Sequence, residues 1–271
     1  MTTAADVQSH YTRGGLLESV LQAIRDAGHD PDALDPDALA PAEEFHTLGR
    51  PATIALAKAA GIGADDHVLD VGSGLGGPAR LLARRYGCRV TGIDLTPELC
   101  EVAVELTRRV GLADRVEIRQ GDALALPFDD ASFDVAWTQH VSMNIEDKRG
   151  LFAGMRRVLK PGGRLAFFDV LAGPVQPIHL PVPWAEDASV SFLATPQETQ
   201  SLLAEVGFSV RVWDDETEAA HASFVRLAAA PSSPPLGLHL LIPNLLTKGM
   251  TLARNLDEGR LVVIRGVADA V

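Results

Sequence analysis

Three aspartates and a run of glycines have the residue types and spacing of a ligand site. The apolar run His67-Val68-Leu69-Asp70-Val71 passes directly into Gly72-Ser73-Gly74-Leu75-Gly76-Gly77. Glycines at such a turn let the backbone take positive φ and come close to a ligand. The first N–H groups of the following helix add hydrogen-bond donors and a favourable dipole. This combination suits the polar part of a nucleotide-like ligand. Gly72, Gly74 and Gly76 read G-x-G-x-G, and the G-x-G-x-x-G of dinucleotide enzymes is met only through Gly77. A second apolar run, Cys88-Arg89-Val90-Thr91-Gly92-Ile93, ends in Asp94, placed to accept both hydroxyls of a ribose. A third, Val116-Glu117-Ile118-Arg119-Gln120-Gly121, ends in Asp122, a suitable acceptor for an exocyclic amine such as that of adenine. Together the three carboxylates describe one ligand lying across a sheet edge. Each also has a local use: Asp70 can cap its turn, and Thr96-Pro97 after Asp94 reads as an N-cap with proline at the first helical position.

Farther along, Phe133-Asp134-Val135-Ala136-Trp137 leads to Thr138, Gln139 and His140, and His140 is the natural candidate for a base at that strand end. Asp169 closes Ala166-Phe167-Phe168 and points toward the same crevice, where a carboxylate orients a histidine, holds an ammonium or caps the next turn. Alternating strands and helices from 67 to 170 demand a parallel sheet with right-handed crossovers, which places a ligand at the carboxyl ends of the strands. Residues 1–60 read as helical, with Leu16 to Ile24 recurring at three and four and a turn-rich break from Gly28 to Pro36. Thr195, Pro196 and Gly207 bracket a helix that feeds the strand Phe208 to Trp213, and Gly259 to Gly266 is another strand. Between Asp214 and Glu258 the alternation stops, and Pro231, Pro234, Pro235 and Pro243 interrupt a Leu- and Ala-rich stretch that reads as an inserted pair of helices. With the loop 171–191 and the amino-terminal helices, this insert is expected to cover the open sheet edge and form a second pocket; the same apolar residues also suit a homodimer interface.

The composition narrows the classes. At 271 residues and 46% hydrophobic content, the chain fits one large α/β domain with additions. The start Met1-Thr2-Thr3-Ala4-Ala5-Asp6 has no leader pattern, no run of about 18 apolar residues occurs, and the expected location is the cytoplasm, off the membrane. Cys88 and Cys100 are too few for a disulfide framework, and with the scattered histidines they make no metal site. A net charge of −12 repels a phosphate backbone and argues against nucleic acid as a partner.

On its motifs the chain resembles the class I S-adenosylmethionine-dependent methyltransferases. Val68 to Gly77, Gly92-Ile93-Asp94-Leu95, Gly121-Asp122-Ala123 before Leu126-Pro127-Phe128, Phe133 to Trp137, and Val158-Leu159-Lys160-Pro161-Gly162-Gly163-Arg164-Leu165 follow that family's order over about residues 65 to 210. The resemblance implies a Rossmann-like, mostly parallel seven-stranded sheet with helices on both faces. It divides the chain into an amino-terminal helical cap (1–60), a cofactor-binding core (61–213 and 259–271) and a helical insert (214–258). It implies S-adenosylmethionine as cofactor, S-adenosylhomocysteine as product, and no metal. The loop with Asp70, Gly72, Ser73, Gly74 and Gly76 would face the methionine end, Asp94 the ribose, Leu95 the adenine face, Asp122 and Ala123 the adenine edge, and Thr138 and Gln139 the methionyl moiety.

The sulfonium methyl is already electrophilic, so alignment alone can lower the barrier by roughly 7–11 kcal/mol, and a base is needed only for a hydroxyl or carbon acceptor. Relatives place histidines before an apolar-x-Asp unit. Here Met143-Asn144 stand ahead of Ile145-Glu146-Asp147, which leaves His140 a candidate on position alone. The segment His179 to Pro196 is similar to sarcosine and dimethylglycine N-methyltransferases and to quinone methyltransferases, and Trp184 within it can face a methylated amine. Glu44-Phe45-His46-Thr47-Leu48-Gly49-Arg50-Pro51 resembles a stretch shared by such enzymes, in which His46 closes over the cofactor, as Tyr11 does from the first helix. The expected activity is methyl transfer to a small molecule, with amines slightly ahead. Methylation of carbon or oxygen on an apolar natural-product or quinone-like acceptor is the alternative, and a non-catalytic, cofactor-binding regulatory protein is the second. A dehydrogenase would leave Asp122 and the Lys160 to Gly163 turn without a role.

Overall fold

In the computed structural model, residues 4–228 and 234–271 are described. The ends of the regions expected above at Met1–Thr3 and around Pro231 lie outside them. Seven strands form one sheet: β1 (His67–Val71), β2 (Arg89–Asp94), β3 (Val116–Gln120), β4 (Phe133–Gln139), β5 (Leu159–Ala172), β6 (Phe208–Asp215) and β7 (Leu261–Ala270). Their order is β3-β2-β1-β4-β5-β7-β6. The first five are parallel, and β7 runs antiparallel to both neighbours. The mostly parallel seven-stranded expectation therefore holds, with an antiparallel edge made by β6 and β7. Strand order reverses at β1, since the chain crosses first toward β2 and later toward β4, and such a switch point opens a crevice beyond the strand ends.

Local sequence explains most boundaries. Helix α5 (Gly77–Tyr86) has Pro78 in its first turn and ends at Gly87 with φ 76°. Helix α8 (Pro196–Glu205) starts with a full capping box, in which Thr195 and Glu198 each accept from the other's backbone N–H. The Lys160-Pro161-Gly162-Gly163 turn is a bulge within β5, because β4 pairs Phe133 with Leu159 but Val135 with Arg164. β6 and β7 run past the ends expected for them, to Asp215 and Ala270. The extra residues pair with each other and with β5.

Helices α4 (Arg50–Ala60), α5, α9 (Thr217–Ala228) and α10 (Leu245–Asp257) contribute to the core on one face, where Leu56, Leu82, Ala220 and Leu252 meet Trp137 and Phe168. On the other, α7 (Lys148–Val158) and α8 pack Leu151, Met155 and Leu203 against Phe167 and Leu165. A third cluster joins α2 (Leu16–Asp26) to α6 (Pro97–Arg109) through Val20, Ile24, Leu99 and Val102, with Leu241 and Ile242 from the segment before α10. Thus the amino-terminal residues and the segment between β6 and β7 share one core, above the sheet's carboxyl edge. Asn255 of α10 exchanges two hydrogen bonds with the backbone of His179, which fixes the loop after β5.

The short helix α3 (Ala40–Glu43) is tied down by an ion pair between Glu43 Oε2 and Arg80 Nη2 of α5 at 2.5 Å, with both side chains almost wholly buried. Removing one partner of a buried pair strands the other, whereas apolar residues in place of both are tolerated. Arg80→Met is therefore expected to lower unfolding free energy by roughly 3–5 kcal/mol in a urea titration. Adding Glu43→Leu should recover most of that loss, and failure to recover would mean that the pair does not set the stability of this junction.

Candidate active site

The switch point holds a cleft of about 450 Å³. Asp70, Gly72, Ser73, Gly74, Asp94, Leu95, Asp122, Ala123, Gln139, His140, Tyr11 and His46 all stand on its wall, so the three strand-end carboxylates converge. Gly76, Thr138 and Asp169 are not on that wall. Gly76 starts α5 against Arg80, and Thr138 is buried with its hydroxyl unpartnered. Gly72 has φ 77°, and a Cβ there would lie 2.2 Å from Val141 Cγ2, so only glycine fits beneath the turn after β4.

The glycine turn does not present the open row of N–H groups expected from sequence. Gly72 and Ser73 both donate to the Ile93 carbonyl, Gly74 donates to Asp94 Oδ2 at 2.9 Å, and Gly76 donates to Ser73 O. The start of α5 is covered as well: a Cβ on Gly77 would sit 2.6 Å from the Glu43 carbonyl. The turn locks onto β2 instead, and the buried polar atoms it leaves unpartnered are Asp70 Oδ2 and Ser73 Oγ. A ligand carrying a positive charge and hydroxyl groups matches what this cleft lacks.

The cleft's electrostatics point the same way. Burial, reinforced by the charges of Asp94 and Glu44, pushes the Asp70 carboxyl up to about 8. Burial also raises Asp94, against the hydrogen bonds it accepts from Thr96 and Gly74. Asp122 Oδ1 accepts from the Leu124 N–H, an Asx turn that aims the aspartate at the cleft.

His140 stands at the junction with a second cavity, of about 630 Å³. Tyr11, Phe45, His46 and His140 belong to both walls. Beyond them the second cavity is lined mainly by apolar side chains, including Met143, Phe168, Trp184, Phe224 and Leu252. Two of its carboxylates are engaged: Glu44 with His46, Thr53 and Arg50, and Glu216 with Arg265 at 2.8 Å. Trp184 spends its indole N–H on Ser191 Oγ, and its carbonyl accepts from Asn144, which in turn accepts from the Tyr11 hydroxyl at 2.8 Å.

The His140 ring stacks on Phe168 at 5.3 Å and 22°, and its Nε2 lies 3.2 Å from Thr47 Oγ1. Its backbone φ is 54°, an uncommon conformation for a residue other than glycine. Burial, then the nearby charge of His46, holds its pKa well below 6.5, so the ring is neutral. Asp169 lies beneath this turn and accepts from Ser142 N and Val170 N; burial raises it to about 6. Lys148 holds the same turn through the carbonyls of Ser142, Ile145 and Phe192, and burial lowers it to about 8. Sequence reasoning passed over Thr47, Asn144 and Lys148, although Glu44 to Thr47 had been singled out as a motif. Among the described residues no group of His, Cys, Asp and Glu is arranged to hold a metal, and no helix is long and apolar enough to cross a membrane.

A crevice at a strand-order reversal, walled by carboxylates from three strand ends, defines an α/β protein built for a nucleoside-bearing ligand. Residues 69–167 match the family model described as a methyltransferase domain. The chain is 33% identical over 219 residues to O-methyltransferase resE of Aspergillus sclerotiorum, covering 79% of each. It is 29% identical to the sarcosine/dimethylglycine N-methyltransferase of Halorhodospira halochloris over 58% of this chain and 56% of that one. With several curated methyltransferases the match spans about half of the relative's own length. In fold, it resembles geranyl diphosphate C-methyltransferase from Streptomyces coelicolor A3(2), solved with S-adenosylhomocysteine, at a TM-score of 0.74 and 20% identity over 99% of this chain and 98% of that one. The chain belongs to the class I S-adenosylmethionine-dependent methyltransferases and is an enzyme that uses S-adenosylmethionine.

The raised Asp70 has a consequence for the ligand-free protein. The folded state holds this proton more tightly than the unfolded chain, whose value is 3.8, so Asp70 subtracts stability progressively as pH rises from there through about 8. Asp70→Asn removes that ionisation. Its melting temperature in the absence of ligand should exceed that of the parent at pH 8, at about 2–4 °C per kcal/mol gained, and the difference should shrink toward pH 5. A lower melting temperature at pH 8 would contradict the assignment.

Proposed function

We propose that the chain methylates a hydroxyl on an apolar small molecule seated in the second cavity, with His140 as the base. The observation that carries this reading is the position of His140, a neutral imidazole on the shared wall of an acidic cleft and an apolar cavity.

S-adenosylmethionine, when bound, supplies an electrophilic methyl on a sulfonium. Asp70 would hold its ammonium and Ser73 its carboxylate end, Asp94 the ribose hydroxyls, and Asp122 with Ala123 the adenine edge. The unpartnered Asp70 Oδ2 and Ser73 Oγ support these placements. Gln139 is held by Trp137 and Thr53 and closes the cleft floor; Tyr11 and His46 close it from the cap side. Asp169 acts as a positioning residue, since it holds the turn that carries His140.

A hydroxyl acceptor must lose its proton as the new bond to carbon forms, and a positioned base contributes about 10²–10⁴-fold. A ring kept neutral by burial has a lone pair throughout the neutral range. The apolar lining of the second cavity excludes water and suits an apolar skeleton. The amine preference drawn from His179 to Pro196 has less support, because the carboxylates that would attract an ammonium are engaged. O-methyltransferase resE aligns over 79% of both chains. A small-molecule acceptor also fits the acidic chain and the two unpaired cysteines of a cytoplasmic protein.

Calorimetric titration tests the cofactor placements. Affinity for S-adenosylmethionine should rise between pH 6 and pH 8 as Asp70 ionises, by at most about tenfold per pH unit. Asp94→Ala should weaken it strongly, and Asp70→Asn should flatten its pH dependence. For the acceptor, labelled-methyl transfer is measured over phenols, apolar alcohols, quinols, sarcosine and dimethylglycine. His140→Ala should lower turnover of a hydroxyl acceptor by about 10²–10⁴-fold and leave cofactor affinity nearly unchanged. Transfer to sarcosine alone, or full turnover by His140→Ala, would overturn the proposal.

A further inference from the structure

Thr47 lies between α3 and α4, far from His140 in sequence, and is buried. Among the described residues the hydroxyl has one partner, His140 Nε2, at 3.2 Å. The rest of Thr47 is held rigidly. Its carbonyl takes the N–H of His46 Nδ1 at 3.0 Å, and His46 Nε2 lies 3.0 Å from Glu44 Oε2 and from Thr53 Oγ1. Glu44, although buried, has its pKa lowered, because hydrogen bonds from His46 and Thr53 and the charge of Arg50 outweigh desolvation.

The other ring nitrogen, His140 Nδ1, has no protein partner among the described residues, yet it is not one of the buried unpartnered atoms. The His140 side chain lines both cavities. A neutral imidazole carries one N–H and one lone pair, and the direction of the hydrogen bond at Nε2, which a hydroxyl can accept or donate, decides which faces outward. If Nε2 carries the proton and Thr47 accepts it, the lone pair sits on Nδ1, toward the acceptor. The opposite tautomer would turn an N–H toward the acceptor, and the ring would have no lone pair there to take a proton. Stacking on Phe168 holds the ring plane and the Thr47 contact distinguishes its two flips, which leaves the tautomer.

We infer that Thr47 is the positioning residue of the base: its hydroxyl oxygen accepts the His140 Nε2–H and fixes the tautomer with Nδ1 free. This rests on the reading of His140 as base. In the step itself the acceptor's O–H proton passes to Nδ1, the oxygen's electron pair forms the bond to the methyl carbon, and the departing sulfur keeps the pair of the broken bond.

Nitrogen-15 spectra of the imidazoles in the intact wild-type enzyme, with His140 assigned through His140→Ala, report the tautomer directly and need no acceptor. The expected result is a protonated Nε2 and an unprotonated Nδ1 at pH 7; the reverse overturns the inference whatever the acceptor is. In transfer assays, Thr47→Val should lower kcat by about tenfold or more with acceptor KM little changed, and Thr47→Ser should restore most of it. Equal loss in Val and Ser variants, or none in Val, would overturn the role. Full activity in His140→Ala would instead remove the base reading itself and leave the tautomer measurement to judge the Thr47 contact.

Discussion

Two adjacent glutamates on the cap, Glu43 and Glu44, are buried where the amino-terminal segment meets the sheet, and they reach in different directions. Glu43 pairs with Arg80 at the first turns of α5, and Arg80 in turn donates to Thr107 of α6. Glu44 meets His46, Thr53 and Arg50. One short segment thereby joins the cap to α5, α6 and α4 together. Because unpairing a buried charge costs several kcal/mol, the cap cannot shift without disrupting these contacts. Of the wall shared by the two cavities, made of Tyr11, Phe45, His46 and His140, His46 is held by Glu44 directly.

That rigidity sets off an excess of negative charge. Asp70, Asp94 and Glu44 lie near one another, and of the three Asp70 has no partner for its Oδ2. A protein selected for stability alone would carry an asparagine or an apolar residue at that position. The arrangement suits a cationic ligand: a positive group beside Asp70 would offset the cost of an ionised, unpartnered, buried carboxylate. The glycine turn contributes shape and register more than donors, because its N–H groups are largely spent on β2 and Asp94.

The sheet, its strand ends and the glycine turn were legible because each is written in a short string: an apolar run, a glycine cluster, an aspartate. Asp70, Asp94 and Asp122 are brought together by parallel pairing that follows once the alternation is read. The second set of contacts was not legible. Glu43 with Arg80, Thr47 with His140 and Asn255 with His179 join residues far apart in sequence, and each residue alone reads as an ordinary surface or capping group. Lys148 reads as a solvated charge in Glu146-Asp147-Lys148-Arg149, yet it is buried against three carbonyls. The surroundings of Trp184 were not legible either: its indole N–H donates to Ser191 and its carbonyl accepts from Asn144.

The choice between nitrogen and oxygen as acceptor atom turns on where a proton can go. A neutral amine attacks with its own lone pair and needs a site that tolerates the ammonium formed, best supplied by an unengaged carboxylate near the acceptor. A hydroxyl needs a lone pair on the protein and a place for a new positive charge on that base. On the proposed reading, burial keeps the His140 lone pair available, and the same burial, with the charge of His46, opposes a lasting positive charge on the ring. The apolar cavity on the far side of His140 excludes water from such a proton transfer.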